Sequence, residues 1–509
     1  MKIFIALIMV LPFLIGSSFS QVNTDYVWLM GVQGNPPTPD PKFGIDLLDF
    51  NNGELNVDRE YMDVKFYLTN SSICKNNGEL LFFSNGCKVF NRLNEVMQNG
   101  SGLNPGSAYS NGFCPNEGNT IRKGLLILPL PEDTTKYYIF HEAGESGEGI
   151  FNPHIAKLYY SLVDISENGG LGKVVEKNQT VIADTLHGDM HAVRHANGED
   201  WWILVAKSTD NLIYKVLFTK DGVAGVIGQQ IGPSPSQWFS GGGAASFSPD
   251  GTKYARYYKN EQLSLFDFDR ETGELSNFQQ FFVDTMGGNI GNISFSSNSQ
   301  YLYVATQLNL YQFNIEAADI AATKVLVGEY DGYKYNNLYP AYFSQMQLGP
   351  DCKIYMATHN STDVLHVIHD PNKQGMACDF RQHEFVLPAL SGASIPNFPN
   401  YRLGTLYPVC DSSIALVTTA VRVPPPLREA RLWPNPASGE VHLALPAALP
   451  QPGLWALYNG MGQRVRREVL ATGQAEHSLS IAGLPPGLYF WEVRAEGRRL
   501  GGGKLVVQP

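Results

Sequence analysis

Ser246-Phe-Ser-Pro-Asp-Gly-Thr-Lys-Tyr-Ala-Arg-Tyr257 reads as an apolar strand, a polar turn and a second strand rich in aromatic residues. Asp and Gly favour a tight reversal, and the apolar residues on either side supply strands that can bury a face. The pattern recurs in Ile73 to Phe83 around Asn77-Gly78, Leu126 to Phe140 around Pro131-Glu-Asp133, and Val193 to Val205 around Asn197-Gly198. It recurs again in Ser294 to Val304 around Ser297-Asn-Ser299, and in Gln347 to Ala357 around Gly349-Pro-Asp351.

Each hairpin is followed by a third apolar segment: Lys88 to Asn91, Leu158 to Asp164, Leu212 to Phe218, Leu263 to Asp269, Leu310 to Asn314 and Val364 to His369. The repeat spacing of roughly 50 to 60 residues accommodates a four-stranded blade of the propeller type. A further third segment, Ile45 to Phe50, has no hairpin before it, but it runs into Gly53-Glu-Leu55 as Leu265 to Asp269 runs into Gly273-Glu-Leu275. An incomplete first unit can be completed from the end of the array, and Ala393 to Leu403 is available for that role. Closure of that kind leaves no long exposed sheet edge. Long amphipathic helical patterns are absent, so the expected class is all-β: a seven-bladed β-propeller over 21–405, with a smaller domain after it.

The Phe-Ser-Pro-Asp-Gly hairpin resembles TolB-like and WD-like propeller repeats. Phe83-Ser-Asn-Gly86, Asn91-Arg92 with Met97-Gln-Asn-Gly100, His195-Ala-Asn-Gly-Glu-Asp-Trp-Trp202 and Pro396-Asn-Phe398 resemble a family of exported bacterial propellers of unknown activity. The resemblance implies a fold and an export route and brings no catalytic residues.

At the N-terminus Lys2, the apolar run Ile3 to Gly16 and the small residues Ser18 and Ser20 form the pattern of a cleavable export signal over 1–20. That run is short for a membrane span, which needs about 20 apolar residues, and no transmembrane segment is expected. Beyond Val423-Pro-Pro-Pro426 the composition changes: residues 422–509 hold nine arginines, one lysine and six glutamates, a balance of +4. Since the whole chain carries -11 and Lys2 adds one positive charge, the region 21–421 stands at -16. So acidic a surface argues against nucleic acid or anionic lipid as partners.

The tail reads as a linker over 406–427 and a small β-sandwich over 428–509, with strands broken by Asn459-Gly460 and Pro485-Pro-Gly487. Leu432-Trp-Pro-Asn-Pro-Ala-Ser-Gly439, Leu457 to Val465, Ile481 to Phe490 and Lys504-Leu-Val-Val507 follow in order. Together they resemble the type A C-terminal sorting domain of type IX secretion cargo, carried by Pro434, Asn435, Pro436, Gly460, Gly462, Pro486, Gly487, Tyr489 and Lys504. The resemblance implies handling by the type IX secretion machinery, passage through the outer membrane of a Gram-negative cell, and a surface or secreted product.

Six cysteines in an exported chain favour disulfides over metal chemistry, because no pair has zinc-ligand spacing. Cys352 and Cys378 flank the strands of one repeat and are the expected pair, with the others left open. His187, Asp189, His191 and His195 would share a strand face, but alternate residues lie about 6 to 7 Å apart and do not converge on one ion unaided. Structural or surface histidines are therefore expected, with no metal and no cofactor. Asp184, Asp189, Glu199 and Asp200 form the nearest acidic cluster for a glycosidase-like site, whereas Asp250 is explained by turn chemistry. Trp201 and Trp202 point to opposite faces of a strand, so at most one can face a ligand, and packing between blades is the expected role. The leading expectation is a binding propeller for an extracellular protein or glycan; the alternative is a secreted hydrolase with an unrecognised site.

Overall fold

The computed structural model describes residues 22–33, 42–110, 113–145, 154–234, 243–260, 262–285, 291–404, 408–416, 430–445, 448–449, 451–460, 463–495 and 498–509. The export signal at 1–20, most of the linker at 406–427, and Gly462 lie outside the described residues.

The chain is all-β. Each expected hairpin is present in register, as in Ala244–Phe247 paired antiparallel with Lys253–Tyr258, and Gly291–Phe295 with Tyr301–Thr306. Local turn chemistry explains why these stretches reverse. Ser248 Oγ donates to Asp250 Oδ1 at 2.5 Å and accepts from Lys253 N at 3.0 Å. Ser296 Oγ likewise donates to Asn298 Oδ1 at 2.6 Å and accepts from Tyr301 N at 2.9 Å. Both turns place their fourth residue at positive φ, Gly251 at 74° and Ser299 at 63°, a region in which glycine is unstrained.

The first strands of successive groups are Val27–Gln33 (β1), Ser71–Cys74 (β2), Leu125–Pro129 (β3), His191–Arg194 (β4), Ala244–Phe247 (β5), Gly291–Phe295 (β6) and Phe343–Leu348 (β7). From β2 onward each opens a run of four antiparallel strands, and the runs of β2 and β3 join through one parallel pair, Gln98 with Lys173. β1 touches β2 and β2 touches β3, while β4, β5, β6 and β7 touch in succession. The last strand of the β7 run, Phe380–Ser391, packs on β1 and its two partners, so the series returns to its beginning.

Two sequence expectations need correction. The missing strand of the first unit is not Ala393 to Leu403: β1 supplies it, pairing with Gly44–Asp49, and Ala415–Leu416 adds a short parallel strand on Glu54–Glu60. Pro396 and Pro399 lack the N–H a ladder requires, and residues 393–403 contain no strand. The segment instead crosses the middle of the molecule. Asn397 Nδ2 donates to Lys123 O and Leu125 O, both at 3.1 Å, and Ser71 Oγ donates to Asn397 O at 3.1 Å. Asn400 Nδ2 donates to Pro249 O at 2.7 Å, and Tyr401 Oη to Ile127 O at 2.7 Å. Ile395, Phe398 and Tyr401 are buried with residues of β1, β2 and β3.

The expected Cys352–Cys378 bridge is the second correction. Cys352 pairs with Cys410, and Cys87 with Cys114, whereas Cys74 and Cys378 are buried thiols. Cys352 lies in the turn after β7 and Cys378 before the fourth strand of that run. Two strand spacings, about 10 Å, separate such positions, beyond the roughly 7 Å that a disulfide spans. Asp411 N donating to Pro350 O at 2.7 Å brings Cys410 alongside instead.

In the tail, Arg431–Trp433, Glu440–Ala444 and Glu476–Ser480 form one sheet, and Arg464–Leu470, Gly453–Tyr458, Gly487–Ala495 and Arg498–Val507 a second. Val441 and Leu443 of the first share a buried core with Trp455, Trp491, Val493 and Leu505 of the second. Asn435 ties the start to the end: its Nδ2 donates to Lys504 O at 2.8 Å and its Oδ1 accepts from Val506 N at 2.9 Å. Tyr489 Oη donates to Pro485 O at 2.8 Å. The tail meets the first strand groups through Arg494 paired with Glu60 and through Arg467 Nη2 on Glu95 Oε2 at 2.7 Å.

Candidate binding site at the centre of the strand groups

The four residues of the histidine-rich stretch separate. Asp189 is buried, and Arg256 Nε donates to its Oδ2 at 2.6 Å. The His187 ring lies 4.2 Å from that of Tyr258, centroid to centroid. His191, on β4, packs against Phe247, and burial pushes it down to about 3, so it is neutral. His195 sits in the following turn, accepting from Asn197 N at 3.1 Å. Among the described residues no group of three or more His, Cys, Asp or Glu side chains is placed to hold a metal ion.

The acidic cluster also disperses. Asp184 accepts from Tyr214 Oη at 2.5 Å and pairs with Lys207 at 3.1 Å; Asp200 accepts from Asn197 Nδ2 at 2.8 Å; Glu199 is exposed. Trp201 and Trp202 enter different cores. Trp201 packs edge-on to Tyr401, and Trp202 Nε1 donates to Arg270 O at 3.0 Å.

What the structure assembles instead came from residues the sequence reading passed over. Arg122 and Lys123 precede β3 and reach across to the β7 run, more than two hundred positions along the chain. Arg122 Nη1 donates to Ser344 Oγ at 3.1 Å, and its Nη2 lies 3.2 Å from His359 Nδ1. Lys123 Nζ donates to Met346 O at 2.9 Å. Both are only 6% exposed. Every one of these acceptors is neutral, because burial and then Arg122 hold His359 down at about 4. Burial also pushes Arg122 down to about 10 and Lys123 to about 8.

Beside them lies a cavity of about 60 Å³, lined by Lys123, His191, Ser294, Gln347, Asn400 and Arg402 among others. Strands β4, β5, β6 and β7 all contribute to its wall. In the same wall Arg402 is held by both oxygens of buried Asp25, which lines the cavity as well. A second polar centre lies nearby in the fold: Glu142 is fully buried with neither carboxyl oxygen hydrogen-bonded, and burial, then the Asp189 charge, push it well above the carboxylate range. Chemically, the first centre offers donors and positive charge, and the second a buried carboxyl, Glu142, held above its ordinary range near Asp189.

Residues 431–508 match the family described as the secretion system C-terminal sorting domain. No curated protein matches the chain. Among solved structures, a putative 6-phosphogluconolactonase from Bacteroides uniformis aligns at 13% identity and a TM-score of 0.39, over 73% of this chain and 99% of that one. The β-propeller domain of Myceliophteria thermophila Cps50 (Swd1) aligns at 11% identity and a TM-score of 0.37, over 66% and 94%. A functionally unknown protein from Desulfotomaculum acetoxidans aligns at 14% identity and a TM-score of 0.36, over 69% and 95%.

Proposed function

We propose that a chain ending in a secretion system sorting domain, which indicates export to the cell surface or extracellular space, delivers a seven-bladed binding propeller there. In this reading 21–405 is the ring, 406–427 the linker and 428–509 a β-sandwich that engages the type IX machinery, after a Sec signal at 1–20 has been removed. The ligand is an extracellular protein or glycan held at the centre of the ring.

One observation carries the binding reading: a polar cavity at the meeting point of four first strands, lined by Lys123, Asn400 and Arg402 and by His191, whose buried Nδ1 has no hydrogen-bond partner among the described residues. Ligand sites gather where several elements converge with a few placed polar groups. A hydrolase is the second reading, favoured by the neighbourhood of Glu142 and Asp189, since a buried carboxyl held above its ordinary range near a second carboxyl is a pairing that acid and base roles use. A glycan and peptide binding panel run beside a hydrolase substrate panel separates the two. Saturable binding without turnover supports the first, and turnover abolished by Glu142→Gln or Asp189→Asn overturns it.

A further inference from the structure

Two other buried arginines meet a carboxylate, Arg402 at Asp25 and Arg494 at Glu60, as does the half-buried Arg256 at Asp189, while buried Arg92 donates to Gly170 O. Among the described residues, Arg122 and Lys123 meet no carboxylate. They are neighbours in sequence, both buried and both directed across the centre of the molecule, and their hydrogen bonds run to a hydroxyl, a neutral imidazole and a carbonyl. Lys123 has three N–H donors and one acceptor. In the wall of the same cavity lie Ser294 and His191, whose buried Nδ1 has no hydrogen-bond partner among the described residues. Uncompensated charge is among the costliest things a fold can bury, and natural structures rarely leave it so without a function.

We propose that this cavity is a subsite for one oxyanion group, a carboxylate, sulfate or phosphate, in which Lys123 supplies the charge and His191 and Ser294 the shaping contacts, the Asp25 carboxylate that also lines the wall being matched by its own pair with Arg402. The cavity of about 60 Å³ exceeds several-fold the roughly 10–15 Å³ that one water occupies, so a group of a few heavy atoms fits. The acidic exterior does not decide the matter. At physiological salt exposed charges are screened over about 8 Å, while a buried ammonium acts on its contact neighbour almost unscreened.

The proposal deepens the binding reading by naming the ligand chemistry at its centre: an anionic group, whether a free ion or the acid function of a larger ligand such as a sugar acid. The test uses the full chain at constant ionic strength. Sodium phosphate, sodium sulfate, glucuronate and glucose are titrated, with thermal unfolding and calorimetry as readouts, on wild type, Lys123→Met and Lys123→Arg. Salts such as sulfate raise melting temperatures non-specifically, so the informative quantity is the saturable component that Lys123→Met removes. We expect saturation with at least one anion, no response to glucose, weakening by roughly 30-fold or more in Lys123→Met, and partial recovery in Lys123→Arg.

Saturation by phosphate or sulfate alone assigns a free ion; preference for glucuronate assigns an acid-bearing ligand. Superimposable curves for wild type and Lys123→Met overturn the proposal. If Lys123→Met does not fold, absence of saturable heat with every anion on wild type overturns it equally. Failure of the glycan and peptide panel alongside a positive anion titration would reject the wider binding reading and leave this site standing.

Discussion

Arg402 and Lys123 line one cavity and have opposite surroundings. Arg402 is clamped by Asp25, donates to Val409 O at 3.1 Å and lies 5.3 Å over the Tyr26 ring, so its charge is matched by chain 377 positions away. Although burial opposes it, Asp25 raises its pKa. Lys123 is buried with no carboxylate partner among the described residues, and burial lowers its pKa to about 8. The contrast separates a clasp from a socket: the paired cation joins the two ends of the strand series, whereas the unpaired one gives the fold a single hydrogen bond, to Met346 O, set against the cost of burying its charge. Removing the clasp should therefore damage the fold, and removing the socket should damage only binding.

The largest effect should come from cutting away the clasp together with the segment that carries it. A chain ending at 390 loses the buried Ile395, Phe398 and Tyr401, each worth on the order of 1.5–3 kcal/mol, together with Arg402 and the Cys410 end of a disulfide. Against a total stability of about 5–15 kcal/mol, such a chain should unfold or aggregate, while one ending at 421 should melt as a folded domain. Equal melting temperatures would place closure elsewhere.

A smaller effect tests the neutral side of the same interior. His141 is fully buried, with Nδ1 2.6 Å from Asn104 Oδ1 and Nε2 2.9 Å from Ser161 Oγ, and burial pushes it down to about 3 from 6.5. The unfolded chain then binds more protons than the folded one between those values, so stability is full above about 6.5 and is lost as pH falls towards 3. At pH 5 the loss is about 2 kcal/mol for this residue. Denaturation midpoints from pH 7 to 4 should fall, and His141→Gln should shallow the slope; an unchanged slope would put the acid sensitivity elsewhere.

The smallest effect concerns the outer contact, where Glu60 and Arg494 form a clasp of the Arg402 type between the tail and the strand groups. If the tail is a separate domain, breaking this pair lets both groups hydrate as the tail swings away, so the loss is limited to about 1 kcal/mol of docking. Arg494→Glu should speed hydrogen exchange over Glu54–Glu60 without lowering the melting temperature of the strand groups, and Glu60→Arg in the same chain should restore protection. A concerted loss of stability would mean that the tail and the strand groups fold as one unit.

Hairpins were legible because their signals are local: Ser248, Asp250 and Gly251 specify their turn within four residues, and the third segments coincide with observed strands, as in Lys88–Asn91. The first strand escaped notice because no short turn follows Val27–Gln33; its partner begins only at Gly44. The centre was illegible for the opposite reason. Nothing around Arg122-Lys123 in sequence signals that Ser344, Met346 and His359 will face them, and Asp189 was read against its histidine neighbours when its partner is Arg256 on another strand group. Cys352 was likewise matched to the nearer candidate because chain distance hides the width of a sheet.

Equilibrium denaturation of full-length Arg402→Met and Lys123→Met, in chloride buffer free of other anions, tests the distinction most directly. Arg402→Met strands a buried carboxylate and should lose about 3–5 kcal/mol. Lys123→Met gives up one hydrogen bond, about 1 kcal/mol, and relieves the burial of a charge, so its stability should be unchanged or higher. Comparable destabilisation by both would show that Lys123 is as structural as Arg402 and would contradict the account.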